Sequence, residues 1–275
     1  MSKKKIVVLV SGMDSLLALK LTELEYQNEE IIPVWYDLGL PFSEAEYAAL
    51  PERIQRRDFK GYGNILPKRD VEGVDLFPFM YEGILYDVMR HYQADKIVMG
   101  VLMTDSALFE DNTLGWAYEF NERFERDILS FPLAEKGYGK IDVIKRAKSL
   151  AMNLGELTRS HTCRSKLHGE FGCGSCFSCM RKKGAYHALG MTTQIPSPFE
   201  TPSIRLVAML QEYCDAFDSV TLDGNKLDFM NEFIPYLEEE TGIANDVHRL
   251  KKHVEKHYIR NSGVIKAKLE AYDAE

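Results

Sequence analysis

Lys5-Ile6-Val7-Val8-Leu9-Val10-Ser11-Gly12-Met13-Asp14-Ser15 is the stretch on which the fold turns. The apolar run from Ile6 to Val10 shows no alternation, so the strand it forms must be buried on both faces. A short polar turn follows, and from about Asp14 to Tyr26 a helix is expected, with Leu16, Leu17, Leu19, Leu21 and Leu24 supplying apolar faces. A buried strand passing through a tight turn into a helix is the opening unit of a parallel α/β sheet. The basic Lys3-Lys4-Lys5 start resembles a secretory leader, but the apolar run is five residues long before Ser11 to Ser15 interrupt it. A first strand is the expected reading.

Working outward, Ile31 to Tyr36 reads as a second strand ending at Asp37-Leu38-Gly39, and Lys96 to Val101 as another buried strand. Helical composition marks Glu44 to Arg57, Tyr81 to Tyr92, Leu114 to Leu129 and Ile141 to Leu154, and a short strand is expected near Ile65-Leu66. Strands alternating with helices predict an α/β, Rossmann-like fold: a parallel sheet with helices on both faces. Ligands of such sheets bind beyond the carboxyl ends of the strands, which points to residues 11–15, 36–40 and 100–111. The expected organisation is an α/β domain over 1–160, a cysteine-bearing segment over 161–195 and, after Pro196-Ser197-Pro198, a C-terminal helical appendage over 203–275.

The chain has 275 residues, 45% hydrophobic and 28% charged, as in ordinary globular proteins, and its net charge of −8 does not advertise a nucleic-acid partner. No apolar run is long enough to span a bilayer, so no membrane association is expected. A cytoplasmic setting is expected, in which cysteines serve as metal ligands or free thiols rather than disulfides.

Four of the five cysteines, Cys163, Cys173, Cys176 and Cys179, fall within 17 residues, spaced C-x9-C-x2-C-x2-C. Zinc takes four ligands in a tetrahedron, and two-residue spacers let successive thiolates turn onto one ion. Gly172 and Gly174 flank Cys173 and permit the tight backbone this requires. Four thiolates close the coordination shell, so the role is structural. The same set could hold an iron–sulfur cluster, or be four clustered thiols. His161 is read as a bystander and Cys214 as a core residue of the appendage.

Ser11-Gly12-Met13-Asp14-Ser15 lies where backbone N–H groups and a helix N-terminus meet an anion. Asp14 could hold magnesium against phosphates; the bland reading is that Asp14 or Ser11 simply caps the helix. With the rest of the chain the match becomes specific. The sequence resembles the PP-loop ATP pyrophosphatases (adenine nucleotide alpha hydrolase-like) and, within them, the 7-cyano-7-deazaguanine synthase (QueC) family. That family reads strand, S-G-G-x-D-S, helix; a strand ending D-x-G; I-V-x-G-V followed by aspartates; and a closing cysteine motif with a short basic helix. The counterparts are Ser11 to Ser15, Asp37-Leu38-Gly39, Ile97 to Val101 with Asp105 and Asp111, Lys140-Ile141-Asp142, and Cys163 to Cys179 continued by Lys182, Ala185 and Tyr186.

The resemblance implies an ATP- and magnesium-using ligase. It adenylates the carboxylate of 7-carboxy-7-deazaguanine, lets ammonia form the amide, then activates the amide to leave a nitrile, as in queuosine-type biosynthesis or nucleic-acid modification. By position, Ser11, Gly12, Asp14 and Ser15 hold the pyrophosphate, Asp37, Gly39 and Gly100 border the nucleotide, and Lys140 supplies a cation to the phosphates; Asp14 and Lys140 are the expected catalytic pair. The partners implied are ATP and a small carboxylate, and a homodimer is compatible with them.

The sequence also departs from the family. Its loop is one residue short and lacks a glycine. Pro78-Phe79-Met80-Tyr81-Glu82 lacks the expected Arg-Asn, Leu102 replaces Asn, and Ser106 to Asn112 differs from a loop containing tyrosine and glycine. These changes keep two alternatives open: a PP-loop enzyme acting on a tRNA base or coupling a carboxylate to another amine, or a non-catalytic zinc-stabilised scaffold. The basic stretch Arg249 to Arg260 could contact a nucleic-acid backbone, its bland reading being a solvated helix face.

Overall fold

A computed structural model describes residues 3–40, 42–60, 69–71, 74–76, 80–107, 110–161, 163, 172–174, 176–196 and 232. The elements are β1 (Lys5–Leu9), α1 (Met13–Glu25), β2 (Glu30–Asp37), α2 (Ser43–Ala48), β3 (Gln55–Asp58), β4 (Arg69–Val71), β5 (Val74–Leu76), α3 (Met80–Tyr92), β6 (Lys96–Met99), α4 (Leu114–Arg123), β7 (Leu129–Ser130), α5 (Lys140–Ser149), α6 (Leu154–Arg159) and α7 (Phe177–His187). Short 3₁₀ turns cover Met103–Ala107 and Glu110–Asn112. The chain divides into two compact units, residues 1–69 with 77–161, and residues 70–76 with 162–275.

In the first unit five strands form a sheet in the order β3-β2-β1-β6-β7, every pair parallel. The α/β reading of the sequence therefore stands. β1 lies at the centre, with Val7 opposite Ile32 on one side and Ile97 on the other. Val7, Val34, Leu85, Val88, Ile97, Phe120 and Phe131 belong to one buried cluster, which explains the unbroken apolar runs of β1 and β6. Pro33 sits inside β2 without breaking the sheet. The N–H it lacks would face β3, whose pairing begins one residue later, at Val34 with Gln55.

Three expected helices end early. The helix expected over Glu44 to Arg57 stops at Ala48, and residues 55–58 form strand β3. Pro51 bars the helical conformation for the residue before it, and the chain turns through an Ile54 N–H to Pro51 carbonyl bond of 3.0 Å. β3 reads Gln-Arg-Arg-Asp, a charged edge strand with no apolar period to betray it. The helix expected over Leu114 to Leu129 stops at Arg123. Glu125 takes a left-handed φ of 50°, and the Asn121 carboxamide binds the N–H groups of Ile128 and Leu129 at 3.0 and 2.7 Å, steering the chain into β7. The helix expected over Ile141 to Leu154 ends at Ser149, Ala151 has φ 51°, and Asn153 caps a separate α6. The expected strand near Ile65-Leu66, Cys214 and the basic stretch 249–260 lie outside the described residues, as does the appendage over 203–275 apart from Glu232. Among the described residues no helix is long and apolar enough to cross a membrane.

Candidate active site and metal centre

β1 delivers the chain to the loop at Val10, whose N–H bonds the Val34 carbonyl at 2.8 Å. The loop then folds on Ser15, at the third helical position. Ser11 N–H and Gly12 N–H both donate to Ser15 Oγ, at 2.8 and 2.9 Å, and the Ser15 hydroxyl donates to the Gly12 carbonyl at 2.9 Å. The bland alternative had Asp14 or Ser11 capping the helix; the side chain that binds the backbone at the helix start is that of Ser15, which is 5% exposed. Two of the backbone donors that an anion would use are thus held by a hydroxyl in the shortened loop.

Asp14 occupies the first turn of α1, where the helix dipole favours a carboxylate. Its Oδ2 pairs with Nζ of Lys140, 126 residues further along the chain. Lys140 is the first residue of α5 and is buried, and Gly139, the N-cap, is held by its N–H to Asp142 Oδ2 at 3.1 Å. Gly100 stands at the carboxyl end of β6, directly against the loop. A Cβ there would lie 2.5 Å from Ser15 Cα and N and 2.7 Å from the Asp14 carbonyl carbon. The glycine that resemblance assigned to the nucleotide border is therefore first a packing requirement, because only a residue without a side chain lets β6 approach the start of α1. The structure thus brings together Ser11 to Ser15, Gly100 and Lys140.

Asp37 ends β2, the neighbouring strand. Its side chain is fully buried and accepts from Gly39 N–H at 2.9 Å, Arg56 Nη2 at 2.5 Å and Lys60 Nζ at 3.2 Å. Burial opposes its ionisation, but the Arg56, Gly39 and Lys60 donors outweigh it and hold the carboxyl below its usual range. Gly39 has φ +71°, the left-handed conformation this turn needs. The Arg56 guanidinium also lies over the Trp35 and Tyr47 rings, 5.4 and 5.2 Å from their centroids. Sequence reasoning missed Arg56 because β3 was read as helix; in a strand parallel to β2, its pairing with Trp35, two residues before Asp37, is what delivers it.

Of the residues marking departure from the family, Leu102 is fully buried and its N–H donates to Asp105 Oδ2 at 2.9 Å. Glu82 pairs on the surface with Arg123 at 2.6 Å. Met103 N–H bonds the Tyr138 carbonyl at 3.1 Å, which ties the segment after β6 to the turn carrying Lys140. Pro78, Phe79 and Phe109 lie outside the described residues.

In the second unit, the ligand sulfurs of Cys163, Cys173, Cys176 and Cys179 all lie within 4.8 Å of one another, a candidate metal site. The other three are buried and Cys173 is half-buried. Cys173 N–H points at Cys163 Sγ at 3.4 Å and Cys176 N–H at Cys173 Sγ at 3.3 Å, the kind of bond that stabilises thiolate. Cys176 stands at the N-cap position of α7 and Cys179 in its first turn, where the helix dipole adds to that effect. Gly172 has φ +105°, and a Cβ there would lie 2.8 Å from Cys179 Sγ, so both conformation and space demand glycine. The neighbouring thiols Cys163 and Cys173, with burial, push Cys176 and Cys179 well up. Cys173 acts in the same direction on Cys163, but hydrogen bonds from Cys176 and Cys179 prevail and bring it down. Four such thiols become thiolates together only with a cation among them. His161, in the first unit, stacks on the Phe42 ring at 6.5 Å, in keeping with its reading as a bystander. On α7, Arg181 forms a buried ion pair with Glu232.

Comparison with known proteins agrees with the motifs. The profile of queuosine biosynthesis protein QueC matches residues 82–190. The 7-cyano-7-deazaguanine synthase of Methanocaldococcus jannaschii is 31% identical over 117 residues, 40% of this chain and 50% of that protein. That of Methanococcus maripaludis is 31% identical over 109 residues, 36% of this chain and 45% of that protein. The chain spans about half the length of the curated relatives it matches. The structure of the U34-tRNA thiolase NcsA from Methanococcus maripaludis with its 4Fe–4S cluster aligns over 93% of this chain and 73% of that one at TM-score 0.39 and 11% identity, a likeness too slight to argue from. The chain resembles 7-cyano-7-deazaguanine synthase and is divergent from it.

Proposed function

We propose that this chain is an ATP-dependent ligase of the 7-cyano-7-deazaguanine synthase kind, which activates a carboxylate on a deazaguanine and replaces its oxygen with nitrogen. The observation that carries the reading is the meeting of three distant stretches, Ser11 to Ser15, Gly100 and Lys140, with the carboxyl ends of β1 and β6. That is the edge at which open parallel sheets bind ligands.

A carboxylate oxygen is a poor leaving group. Its attack on the α-phosphorus of ATP breaks the bond to pyrophosphate and turns that oxygen into part of a good leaving group, AMP. Ammonia then forms the C–N bond as AMP departs, and a second activation of the amide oxygen leaves the nitrile. The chain's part is to hold the pyrophosphate while negative charge develops on it. Ser11, Gly12 and Ser15 offer donors for this, provided that the Ser15 hydroxyl turns from the Gly12 carbonyl toward phosphate. Lys140 supplies a positive charge from a buried position, held near the loop by its pair with Asp14. Magnesium, when bound, would neutralise phosphate charge, and Asp14 is the carboxylate suited to hold it. Asp37, pinned by Arg56 and Lys60, orders the Gly39 turn that borders the nucleotide.

The cysteine site is proposed to hold zinc. Sulfurs around one tetrahedral zinc stand about 3.8 Å apart at a Zn–S distance of about 2.3 Å, which suits four sulfurs within 4.8 Å of one another. A four-iron cluster holds each thiolate on a separate iron, which spreads the sulfurs further apart than a single ion does. Closed by four thiolates, the zinc has a structural role.

The test is incubation of the purified protein with ATP, magnesium, ammonium and 7-carboxy-7-deazaguanine. AMP, pyrophosphate and the nitrile are expected. AMP released only with a different acid would refute the substrate, and no AMP with any acid would refute the ligase.

A further inference from the structure

Asn112 closes the second 3₁₀ turn after β6, immediately before Thr113, whose side chain caps α4. It is 7% exposed, yet its Oδ1 is buried without a hydrogen-bond partner among the described residues. A buried acceptor left without a hydrogen bond destabilises a fold, so such a group in a folded protein calls for an explanation. Its place in the fold supplies one. The segment from Gly100 to Asn112 starts against the backbone of Asp14 and Ser15, and it is tied by the Met103–Tyr138 bond to the turn that carries Lys140. The orphaned acceptor thus belongs to the same end of the sheet as the phosphate loop and the lysine. Thr104 and Asp111 of the same segment are also buried, so this is a polar interior rather than a surface turn.

We propose that Asn112 is a specificity-determining residue whose Oδ1 accepts a hydrogen bond from an N–H of a planar nitrogen heterocycle bound at this end of the sheet. The inference rests on the ligase reading for the identity of that heterocycle. Two sources carry the chemistry: the deazaguanine of the acid, with ring and exocyclic N–H donors, and the adenine of ATP, with its exocyclic amine. The arrangement discriminates sharply, because a ligand that cannot donate leaves the acceptor unpaired.

The test is calorimetric titration of the full-length protein, with 7-carboxy-7-deazaguanine and, separately, with a non-hydrolysable ATP analogue and magnesium. Wild type is compared with Asn112→Leu, of similar shape without the acceptor, and Asn112→Asp, which keeps an acceptor. Thermal melting is recorded for each. Loss of one buried hydrogen bond predicts roughly tenfold weaker binding of one ligand to Asn112→Leu. Asn112→Asp should retain affinity within about threefold, and the Asn112→Leu melting temperature should not fall, because the mutation removes an unsatisfied group. Weakening toward the acid assigns the acceptor to the substrate base; weakening toward the analogue assigns it to adenine. Unchanged affinity for both would overturn the proposal, and a lower melting temperature beside it would make Asn112 a structural residue. If the wild type binds the acid without releasing AMP, the ligase reading fails while the Asn112 comparison still decides its own question. A wild type that binds neither ligand rejects both.

Discussion

Substitution of Gly100 by alanine tests the way this site is built. The added Cβ would lie 2.5 Å from Ser15 Cα and N. Carbon atoms rest at about 3.5–4.0 Å, so β6 and the start of α1 must separate by roughly 1 Å. Neither side yields easily: one is a central strand, the other the backbone of a helix start, and no flexible side chain stands between. Overpacking of this kind costs about 1–3 kcal/mol, and contact with backbone places Gly100→Ala at the upper end. The displacement falls on the loop that holds Asp14 and Ser15, and a misplacement of about 1 Å in a positioning element can lower a rate by about a hundredfold. Guanidinium denaturation should therefore show a loss of about 3 kcal/mol, and pyrophosphate release should fall by about two orders of magnitude. Gly115→Ala is the control. It lies in α4 with only Thr113 Oγ1 near its Cβ, at 3.9 Å, so alanine should be neutral or stabilise by about 1 kcal/mol. Wild-type stability and turnover in Gly100→Ala would refute the close approach and, with it, the assembly of the site.

Metal analysis of purified protein should return about one zinc per chain, and Cys173→Ser or Cys176→Ser should be insoluble or metal-free; a soluble, folded, metal-free wild type would sink the metal centre. Lys140→Met should lower kcat for pyrophosphate release by about 10²–10³-fold, the usual cost of removing one fixed charge or donor from a developing anion, and near-normal kcat would exclude the lysine from that role. Asp37 gives a pH signature. Its folded pKa is depressed below the unfolded value of about 3.9, so its contribution to stability is complete above that value and is lost as pH falls through the folded pKa. Urea midpoints of Asp37→Asn should fall less steeply with acid than those of wild type; parallel slopes would contradict the assignment.

The legible parts of the sequence were those in which one kind of residue had to satisfy one demand. β1 and β6 are buried on both faces, so their apolar runs announced them, and thiolate chemistry made four closely spaced cysteines readable as a metal site. β3 was illegible because an edge strand can be wholly polar, and the two residues of β7 carry no period at all. Their positions depend on tertiary devices, the break at Pro51 and the Asn121 carboxamide bonded to Ile128 and Leu129. Lys140 was reached only through resemblance, since nothing local distinguishes a buried lysine at a helix start from a solvated one; its partner lies 126 residues away. Arg56 and Asn112 gave no local signal. One is placed by strand pairing, and the other stands out only because its buried Oδ1 has no hydrogen-bond partner among the described residues.

The most direct measurement of the central claim uses 7-carboxy-7-deazaguanine labelled with heavy oxygen in its carboxylate, incubated with ATP, magnesium, ammonium and the protein. Carboxylate attack on the α-phosphorus followed by displacement by ammonia transfers one labelled oxygen to AMP, and mass spectrometry should find that label there. Unlabelled AMP, ADP in place of AMP, or ATP left intact would contradict carboxylate activation at this site.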